Sequence, residues 1–260
     1  MAVDVVVVNY RTPHLLRDFC ASYEQHAFPG CTLTIVDVDP RTEATSYLHD
    51  TFHEAVLPLG ENHGYAYACN RGAQRGRNDV ILLANSDTLL SDGLHECHAA
   101  LMAHDDWGIL GPRQVDASNR ITAGGIFGTP EQPAPRGWLR PDTGQYADVR
   151  DDAVTIPGSL FFIKRSVWNL LTRCDLFQQV NPGALGAFLE TKLYYEETFC
   201  AYHARAHGYR CVYYGPVQMV HLYHQSIGSD PDGWGENQFQ LSQKLFYDAC
   251  QVHDISYGRA

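Results

Sequence analysis

The sequence has no long hydrophobic run and no excess of positive charge. No apolar stretch approaches the ~20 residues that a membrane-spanning helix needs, so we expect no transmembrane segment. The 260 residues include 19 Lys and Arg against 30 Asp and Glu, which gives a net charge of -11. Since basic side chains hold phosphate backbones, this balance gives no general electrostatic reason to expect nucleic acid as a partner, although a local basic groove is compatible with it.

Signatures of three common enzyme classes are also missing. The first predicted strand leads into Asn9-Tyr10-Arg11-Thr12 instead of a G-x-G-x-x-G loop, which argues against a dinucleotide-binding oxidoreductase. The absence of G-x-S-x-G and of G-x-x-x-x-G-K-S/T disfavours a hydrolase with a nucleophile elbow and a P-loop enzyme. The N-terminus has neither a basic region nor a cleavage site, so we expect no signal peptide and a cytoplasmic protein.

Eight cysteines are scattered along the chain without any C-x-x-C pair, and the thirteen histidines include no H-E-x-x-H motif. Most of the cysteines lie within apolar strand or helix patterns, where a thiol behaves as a small hydrophobic side chain. We therefore interpret them as reduced core residues rather than as a disulfide or zinc framework.

What the sequence does contain is a series of apolar strands alternating with helical patterns. Val3 to Asn9, Thr32 to Val38 and Val80 to Ala84 are apolar without polar alternation. Such strands are covered on both faces, as in a parallel sheet. Strand and helix alternation predicts βαβ units with right-handed crossovers. The fold class is therefore α/β, and the length suits one large domain or two small ones.

The composition changes at Gly128, after which proline and glycine are frequent up to Asp152. We predict a long, mobile surface loop for this stretch. Farther on, a helix that starts near Glu196 ends before Gly208, a suitable residue for a helix C-terminus. Two more strands are predicted after it, from Tyr209 to Tyr214 and from Pro216 to His221.

Polar side chains gather at the ends of these predicted elements, in the pairs Asp37 and Asp39, Asn85 and Asp87, Glu196 and Glu197, and His221 and His224. In open α/β sheets ligands bind outside the carboxyl ends of the strands, and a carboxylate there can hold a divalent cation against phosphate oxygens. Taken alone, Asn85 and Asp87 fit equally well a turn that caps the next helix.

Short motifs in collinear order over residues 3 to 228 resemble those of family 2 glycosyltransferases, and most closely the rhamnosyltransferase-like branch. These motifs are Asn9-Tyr10-Arg11-Thr12, Val36-Asp37, Asn62-His63-Gly64-Tyr65-Ala66, Asn70-Arg71-Gly72, Leu82-Leu83-Ala84-Asn85-Ser86-Asp87, Gly108-Ile109-Leu110-Gly111-Pro112-Arg113, Pro157-Gly158-Ser159-Leu160-Phe161, Tyr195-Glu196-Glu197, Gly208-Tyr209-Arg210, and His221 with Ser226. The resemblance implies a single GT-A domain with a Rossmann-like, mostly parallel sheet flanked by helices. Its nucleotide-sugar half would span 1–115, its mixed acceptor and catalytic half 116–228 with the loop 128–152, and a C-terminal linker and helix 229–260.

The resemblance also implies roles for individual residues. Those that would contact the nucleotide sugar are Asn9, Tyr10, Arg11, Asp37, Asn70, Asn85 and Ser86. Asp87 and His221 would bind the metal, with His224 as the alternative to His221. Glu197 would be the general base, with Glu196 as its competitor, and Asp39 could replace Asp37.

The implied activity is an inverting, metal-dependent transfer of a hexose-type sugar from a nucleoside diphosphate, UDP or dTDP, to a hydroxyl acceptor. A carboxylate base would deprotonate the attacking hydroxyl, and Mn²⁺ or Mg²⁺ would offset the charge of the departing diphosphate. The acceptor stays open between a glycan, a lipid-linked sugar, a small molecule, a protein and a modified nucleobase. The alternative is a non-catalytic nucleotide-sugar-binding protein or partner subunit of a glycosyltransferase.

Three departures from the family pattern favour that alternative. Asn85 stands where the metal motif usually begins with Asp, and Glu197 stands where the family prefers Asp. Phe199 and His203 replace an Asp and an Arg that would form an i, i+4 ion pair. Because both members of that pair changed together, we interpret the change as structural retuning. The plainer alternatives are a turn at Asp87, a first-turn helix carboxylate at Glu197 and a strand-end histidine at His221.

Overall fold

The computed structural model of the chain describes residues 2–38, 50–52, 54–129, 131–222 and 234–255, with side chains from 236 onward in the last range. The helix predicted around residues 41–49, and the alternatives Asp39 and His224, lie outside these ranges. Within them, no helix is both long and apolar enough to cross a bilayer.

The strands of the described ranges are β1 Val3–Asn9, β2 Thr32–Asp37, β3 Val56–Pro58, β4 Val80–Asn85, β5 Thr88–Leu89, β6 Trp107–Val115, β7 Ile121–Ala123, β8 Ile126–Gly128, β9 Pro133–Pro135, β10 Val149–Ala153, β11 Leu160–Lys164 and β12 Arg210–His221. The helices are α1 Pro13–His26, α2 Tyr65–Ala73, α3 Gly93–Met102, α4 Arg165–Thr172, α5 Asp175–Val180, α6 Glu196–Ala206 and α7 Trp234–Val252. The central sheet has the order β10-β12-β6-β11-β4-β1-β2-β3, with β5 paired to β12 and β7 to β6.

The first half of this sheet is parallel and buried on both faces, as predicted. β3, β2, β1 and β4 run in the same direction. Val6 and Val8 of β1 pack in the cluster that includes α2, whereas Val5 and Val7 pack with Leu16 of α1 on the other face. Because successive side chains of a strand point to opposite faces, both helices are needed to cover this all-valine run. The α/β class and the mostly parallel central sheet are confirmed.

The second half of the sheet is mixed. β11 is antiparallel to both β4 and β6, and β12 is parallel to β6. The prediction of two separate strands from Tyr209 to His221 was wrong, since one strand covers both. Its pairing with β6 shifts in register between Tyr214 and Gln218. Pro216 lies at this irregularity and has no N–H to donate to a neighbouring strand.

Residues 128–152 are more ordered than an irregular loop, so this part of the prediction was wrong. β9 pairs with β8, and β10 pairs with β12 at the edge of the central sheet. The segment is also fixed by Arg113, whose Nε lies 3.2 Å from Asp142 Oδ2, and by Arg136, 2.7 Å from Asp148. The Pro-Ala-Pro sequence of β9 hid the strand, because prolines are tolerated only at strand edges and give no apolar alternation.

Candidate functional site

The carboxyl ends of β1 and β2 are joined by two buried polar side chains. The register sets Asn9 directly beside Asp37, and Asn9 Nδ2 donates to Asp37 Oδ1 over 3.0 Å. Asn9 is 0% exposed and Asp37 4%. Asn9 Oδ1 is buried and has no hydrogen-bond partner among the described residues. This strand end therefore carries a fixed carboxylate and an unused amide acceptor.

Tyr10 and Arg11 follow at the same edge. Arg11 is exposed and adopts a left-handed backbone conformation with φ 59°. Its guanidinium carbon lies 5.0 Å from the centroid of the Tyr10 ring, which is within the range of a cation–π contact. The two side chains together offer an aromatic and a cationic group to a ligand at the strand end.

The turn after β4 is tied to β1 on one side and to β12 on the other. Ser86 Oγ lies 2.8 Å from Thr12 Oγ, which explains why Thr12 occupies the N-cap position of α1 without a side-chain cap bond. Asp87 is 1% exposed. Its Oδ1 lies 3.4 Å from His221 Nε2, because β5 pairs with the end of β12 and sets Thr88 opposite His221. The resemblance implied that Asp87 and His221 bind the same metal ion, and in the structure the two side chains are in contact.

Asp87 Oδ1 has no hydrogen-bond partner among the described residues. A buried carboxylate oxygen without a partner is costly, because water no longer solvates it. The nearby imidazole of His221 offsets part of this cost, and a cation bound between the two groups would offset more. The turn thus has the donor set of a small cation site.

Glu196 and Glu197 begin α6 directly after a strained turn. Tyr194 and Tyr195 have φ values of 69° and 68°, and the left-handed region costs a residue with a Cβ about 1–2 kcal/mol. Glu196 is buried and accepts a hydrogen bond from Thr191 Oγ1 over 3.1 Å. Glu197 is half-buried. Consecutive strained residues next to two acids mark this turn as a candidate site.

Burial raises the pKa of both carboxyl groups. For Glu196 the second cause is the charge of Glu197, while its bond from Thr191 acts in the opposite direction. For Glu197, backbone and side-chain hydrogen bonds from its own helix turn oppose the effect of burial on the pKa. Two interacting acids with raised pKa values exchange protons in the neutral range, where a general base has to work.

One short segment connects this acidic turn with the end of β4. Ser159 O accepts from Asn85 N over 3.0 Å, and a Cβ added at Gly158 would lie 3.6 Å from the Glu197 side chain. Residues 157–159 therefore lie between the end of β4, two residues before Asp87, and the Glu197 side chain. Within the described ranges, neither carboxylate has an ion pair with Lys or Arg.

Asn70 lies apart from the strand ends and supports a neighbouring segment. It is 0% exposed, donates to Phe188 O over 2.9 Å and accepts from Phe188 N over 3.1 Å. Its Nδ2 also lies 3.2 Å from Glu190 Oε1. The amide thus fixes residues 188–190, and its predicted contact with a nucleotide sugar stays a prediction.

Gln114 is a candidate that the sequence analysis missed. Its Oε1 accepts from Ser159 Oγ over 2.7 Å, and its Nε2 is buried without a partner among the described residues. β6 is buried along its whole length. An amide near the end of a fully buried strand was the available signal, since a buried amide needs hydrogen-bond partners.

Glu197 borders a cavity of 190 Å³ that is lined in part by aromatic side chains. Its lining includes Ile126 and Pro133 of the β8–β9 hairpin and, on the other side, Tyr194, Tyr195, Tyr202 and Phe239. Flat aromatic side chains with polar tips bind the faces of ring-shaped ligands and hydrogen-bond to their edges. A larger cavity of 490 Å³ lies elsewhere, between α4, α5 and His207, away from the strand ends.

The start of α2 packs against the acidic turn through Gly64. This residue has φ 106°, and a Cβ on it would lie 2.6 Å from Lys192 Cα and O. We expect Gly64→Ala to lower the free energy of unfolding by about 3 kcal/mol, from backbone strain and overpacking together. Gly60→Ala is the matched control, with φ 71° and no atom within 4 Å. Gly60→Ala should lower the free energy of unfolding, measured by urea denaturation, by only about 1 kcal/mol. Equal losses for both variants would contradict the close packing of Gly64 against Lys192.

Comparisons with known proteins identify the type of fold that the chain has. No model of a protein family matches the sequence, and no curated protein matches it. The solved structures that are similar to the chain include the following three. The mannosyltransferase PcManGT from Pyrobaculum calidifontis, in complex with GDP-Man and Mn²⁺, has 14% identity and a TM-score of 0.60. S. aureus TarS 1-349 has 12% identity and a TM-score of 0.57, and GalNAc-T7 with UDP, GalNAc and Mn²⁺ has 15% and 0.65.

These similarities extend over nearly all of this chain, covering 98%, 97% and 96% of it in the same order. The chain spans 65%, 72% and 48% of the three proteins it matches. At such low identities the likeness establishes the fold alone. The chain therefore has the fold of GT-A glycosyltransferases.

Proposed function

We propose that this chain is a glycosyltransferase that moves a sugar from a nucleoside diphosphate to a hydroxyl acceptor with inversion at the anomeric carbon. The observation that carries the proposal is that residues 157–159 contact both parts of the site: Ser159 is bonded to Asn85, two residues before Asp87, and a Cβ on Gly158 would lie 3.6 Å from Glu197. In a sheet of this type, ligands bind at this edge. GDP-Man with Mn²⁺ in one similar structure, and UDP, GalNAc and Mn²⁺ in another, support the same assignment.

The donor would bind along the ends of β1, β2 and β4. The Asp37 carboxylate, fixed by Asn9, accepts hydrogen bonds from a ribose hydroxyl or a base N–H. Tyr10 and Arg11 supply the aromatic and cationic groups for stacking on the base. We expect a UDP- or dTDP-sugar as the donor. A dTDP-sugar would agree with the rhamnosyltransferase-like branch that the sequence motifs most closely resemble.

Asp87 and His221 are the residues that would hold a Mn²⁺ or Mg²⁺ ion. The 3.4 Å between Asp87 Oδ1 and His221 Nε2 is close to the ~3 Å that separates adjacent ligands of an octahedral ion with ~2.1 Å bonds. Carboxylate and imidazole ligands together suit Mn²⁺. When bound, the ion supplies positive charge against the leaving diphosphate. Asn85 is half-buried beside them and offers a neutral oxygen.

Glu197 is the proposed general base, because it borders the cavity whereas Glu196 is buried against Thr191. Its carboxylate takes the proton of the acceptor hydroxyl as that oxygen attacks the anomeric carbon. The bond from this carbon to the diphosphate breaks on the opposite face, and its electron pair leaves with the phosphate oxygen. Attack and departure on opposite faces invert the configuration.

The cavity beside Glu197 is the proposed acceptor site. Tyr194, Tyr195, Tyr202 and Phe239 line it, and such a wall favours an acceptor with a ring, either a sugar or a nucleobase. The Glu197 carboxylate at the border would then meet a hydroxyl on the edge of that ring.

The proposal is tested with a panel of nucleoside-diphosphate sugars, each with and without Mn²⁺. Donor binding is measured as a shift in melting temperature, and turnover as release of nucleoside diphosphate. We expect one nucleotide class to raise the melting temperature and to be hydrolysed slowly in the presence of Mn²⁺. Binding without turnover under all conditions would favour the alternative of a non-catalytic nucleotide-sugar-binding protein or partner subunit. Neither binding nor turnover would refute both.

The raised pKa of Glu197 predicts how activity depends on pH. Because the base has to be ionised, kcat/KM should rise with pH through the neutral range instead of near the ordinary glutamate pKa of about 4.3. A pH profile of initial rates checks this. A rate already constant from pH ~5 upward would contradict the assignment of a buried base.

The free energy of unfolding should fall as the pH rises, in contrast to kcat/KM. The folded-state pKa values of Glu196 and Glu197 are raised, so folding favours the protonated form. The contribution of these two carboxyl groups to the free energy of unfolding is complete below the unfolded pKa of about 4.3. It is lost as the pH rises into the neutral range. Urea denaturation of the wild type should therefore show a lower free energy of unfolding at neutral than at mildly acidic pH. Glu196→Gln should reduce this difference.

A further inference from the structure

A second group of metal-ligand side chains lies outside the pair of Asp87 and Glu197. One ligand atom each from Cys174, His203 and His253 lies within 4.8 Å of the others. Cys174 is the N-cap residue of α5, His203 lies in the last turns of α6, and His253 follows the end of α7. The proposed transfer reaction uses none of the three.

His203 points to a missing ligand. It is 0% exposed, and neither of its ring nitrogens has a hydrogen-bond partner among the described residues. An imidazole buried in this way loses the hydrogen bonds it makes to water and gains none. Burial, together with His253 and His207, lowers its pKa to about 3, so the ring is neutral and has a lone pair to donate.

His253 offers a second imidazole nitrogen to the same point. Its Nε2 is buried without a partner among the described residues. The ring centroids of His203 and His253 are 4.5 Å apart.

Cys174 connects the cluster to solvent. It is half-buried and lines the 490 Å³ cavity together with Arg173 and His207. The cavity provides a path for an ion and space for a water molecule as a fourth ligand. The Cys174 thiol forms no disulfide.

We propose that Cys174, His203 and His253 bind a Zn²⁺ ion that joins α5, α6 and α7. Thiolate and imidazole are the ligands that zinc prefers, in contrast to the carboxylate of Asp87. Binding forms a bond from the Cys174 sulfur to zinc and releases the thiol proton to solvent.

The ion would act on the neighbouring acidic turn through α7. Gln243 of α7 donates to Tyr195 OH over 2.8 Å, and Ser242 donates to Leu193 O over 2.6 Å. Fixing the end of α7 to α6 holds both contacts in place. The zinc site is therefore a structural site that supports the turn carrying Glu197.

The test loads the full chain with Zn²⁺, removes unbound metal by gel filtration and measures zinc by elemental analysis. We expect about one zinc per chain and a melting temperature higher by roughly 5 °C than after chelation. Cys174→Ser and His253→Gln should each weaken zinc binding at least tenfold. Both residues are half-buried, so these variants should fold, which circular dichroism checks.

Matched controls are Cys31→Ser, at another half-buried cysteine, and His98→Gln, at another buried histidine whose ring nitrogens lack partners. Both should retain zinc. Replacement by Co²⁺ should give thiolate-to-cobalt absorption in the wild type but not in Cys174→Ser. The proposal would be overturned if the wild type retained no zinc. It would also be overturned if Cys174→Ser and His253→Gln retained as much zinc as the wild type. The latter result would direct attention to Asp87 and His221 instead.

Discussion

Replacing Glu197 by glutamine should lower kcat about 10²- to 10³-fold, because the variant keeps the shape of the side chain but cannot accept the proton of the acceptor hydroxyl. Donor affinity should stay within about twofold of the wild type, since the proposed donor site lies along the ends of β1, β2 and β4. Initial rates of sugar transfer and the melting-temperature shift with donor separate the two effects.

Glu196→Gln is the matched control for this prediction. The residue is the neighbour of Glu197, has the same side chain and is buried against Thr191. We expect it to retain at least a tenth of the wild-type kcat. The reverse result, a severe loss for Glu196→Gln and a mild one for Glu197→Gln, would transfer the role of base to Glu196. If both variants keep full activity, the turn before α6 has no part in the chemistry.

Replacing Asp87 by asparagine should lower kcat by about two orders of magnitude, which corresponds to ~3 kcal/mol of the activation barrier. The neutral amide keeps the size of the side chain beside His221 but removes the charge that attracts a divalent ion. The Mn²⁺ concentration for half-maximal activity should therefore rise as well. Rates measured over a Mn²⁺ titration give both quantities.

His221→Gln is the companion variant, since His221 Nε2 lies 3.4 Å from Asp87 Oδ1. It should also increase the Mn²⁺ requirement, with a smaller effect on kcat because a neutral ligand is replaced by another. If instead both variants only lower the melting temperature and leave the Mn²⁺ dependence unchanged, the contact of Asp87 with His221 is structural.

The parallel half of the fold was predictable because its signal is local. The valine run of β1 and the apolar run of β4 cannot tolerate a solvent-facing side, so the sequence alone indicates a sheet covered by helices on both faces. The polar residues that end these strands, Asn9 and Asn85, then have to lie at one edge. No contact between distant segments is needed for either inference.

The acceptor half was less predictable because its contacts are distant in sequence. β9 is stabilised by β8 and β10 by β12, and neither strand has an apolar pattern of its own. The contact of Asp87 with His221 depends on the pairing of the two-residue strand β5 with β12. Gln114 was missed because it lies within a strand whose apolar residues suggested core alone.

His203 shows the same limit for single residues. Its position four residues after Phe199 suggested only the loss of a helix ion pair, and Phe199 does lie among aromatic rings, 5.9 Å from Phe177 and 5.5 Å from His203. The proximity of His203 to Cys174 and His253 arises from three separate helices. Zinc motifs are recognised by short spacings between ligands, and here the spacings are long, so the cysteine pattern indicated only a reduced core.

The left-handed backbone at Tyr194 and Tyr195 has a consequence for the last helix. Two neighbouring residues in a region that L-amino acids avoid would relax unless outside contacts held them, and α7 provides several: Gln243, Ser242 and the ring of Phe239, 5.3 Å from Tyr195. Removing α7 would thus disturb the position of the proposed base, Glu197, although α7 contributes no proposed reacting group. If Glu197 is the base, a truncation that removes α7 but spares the sheet should still lower the activity.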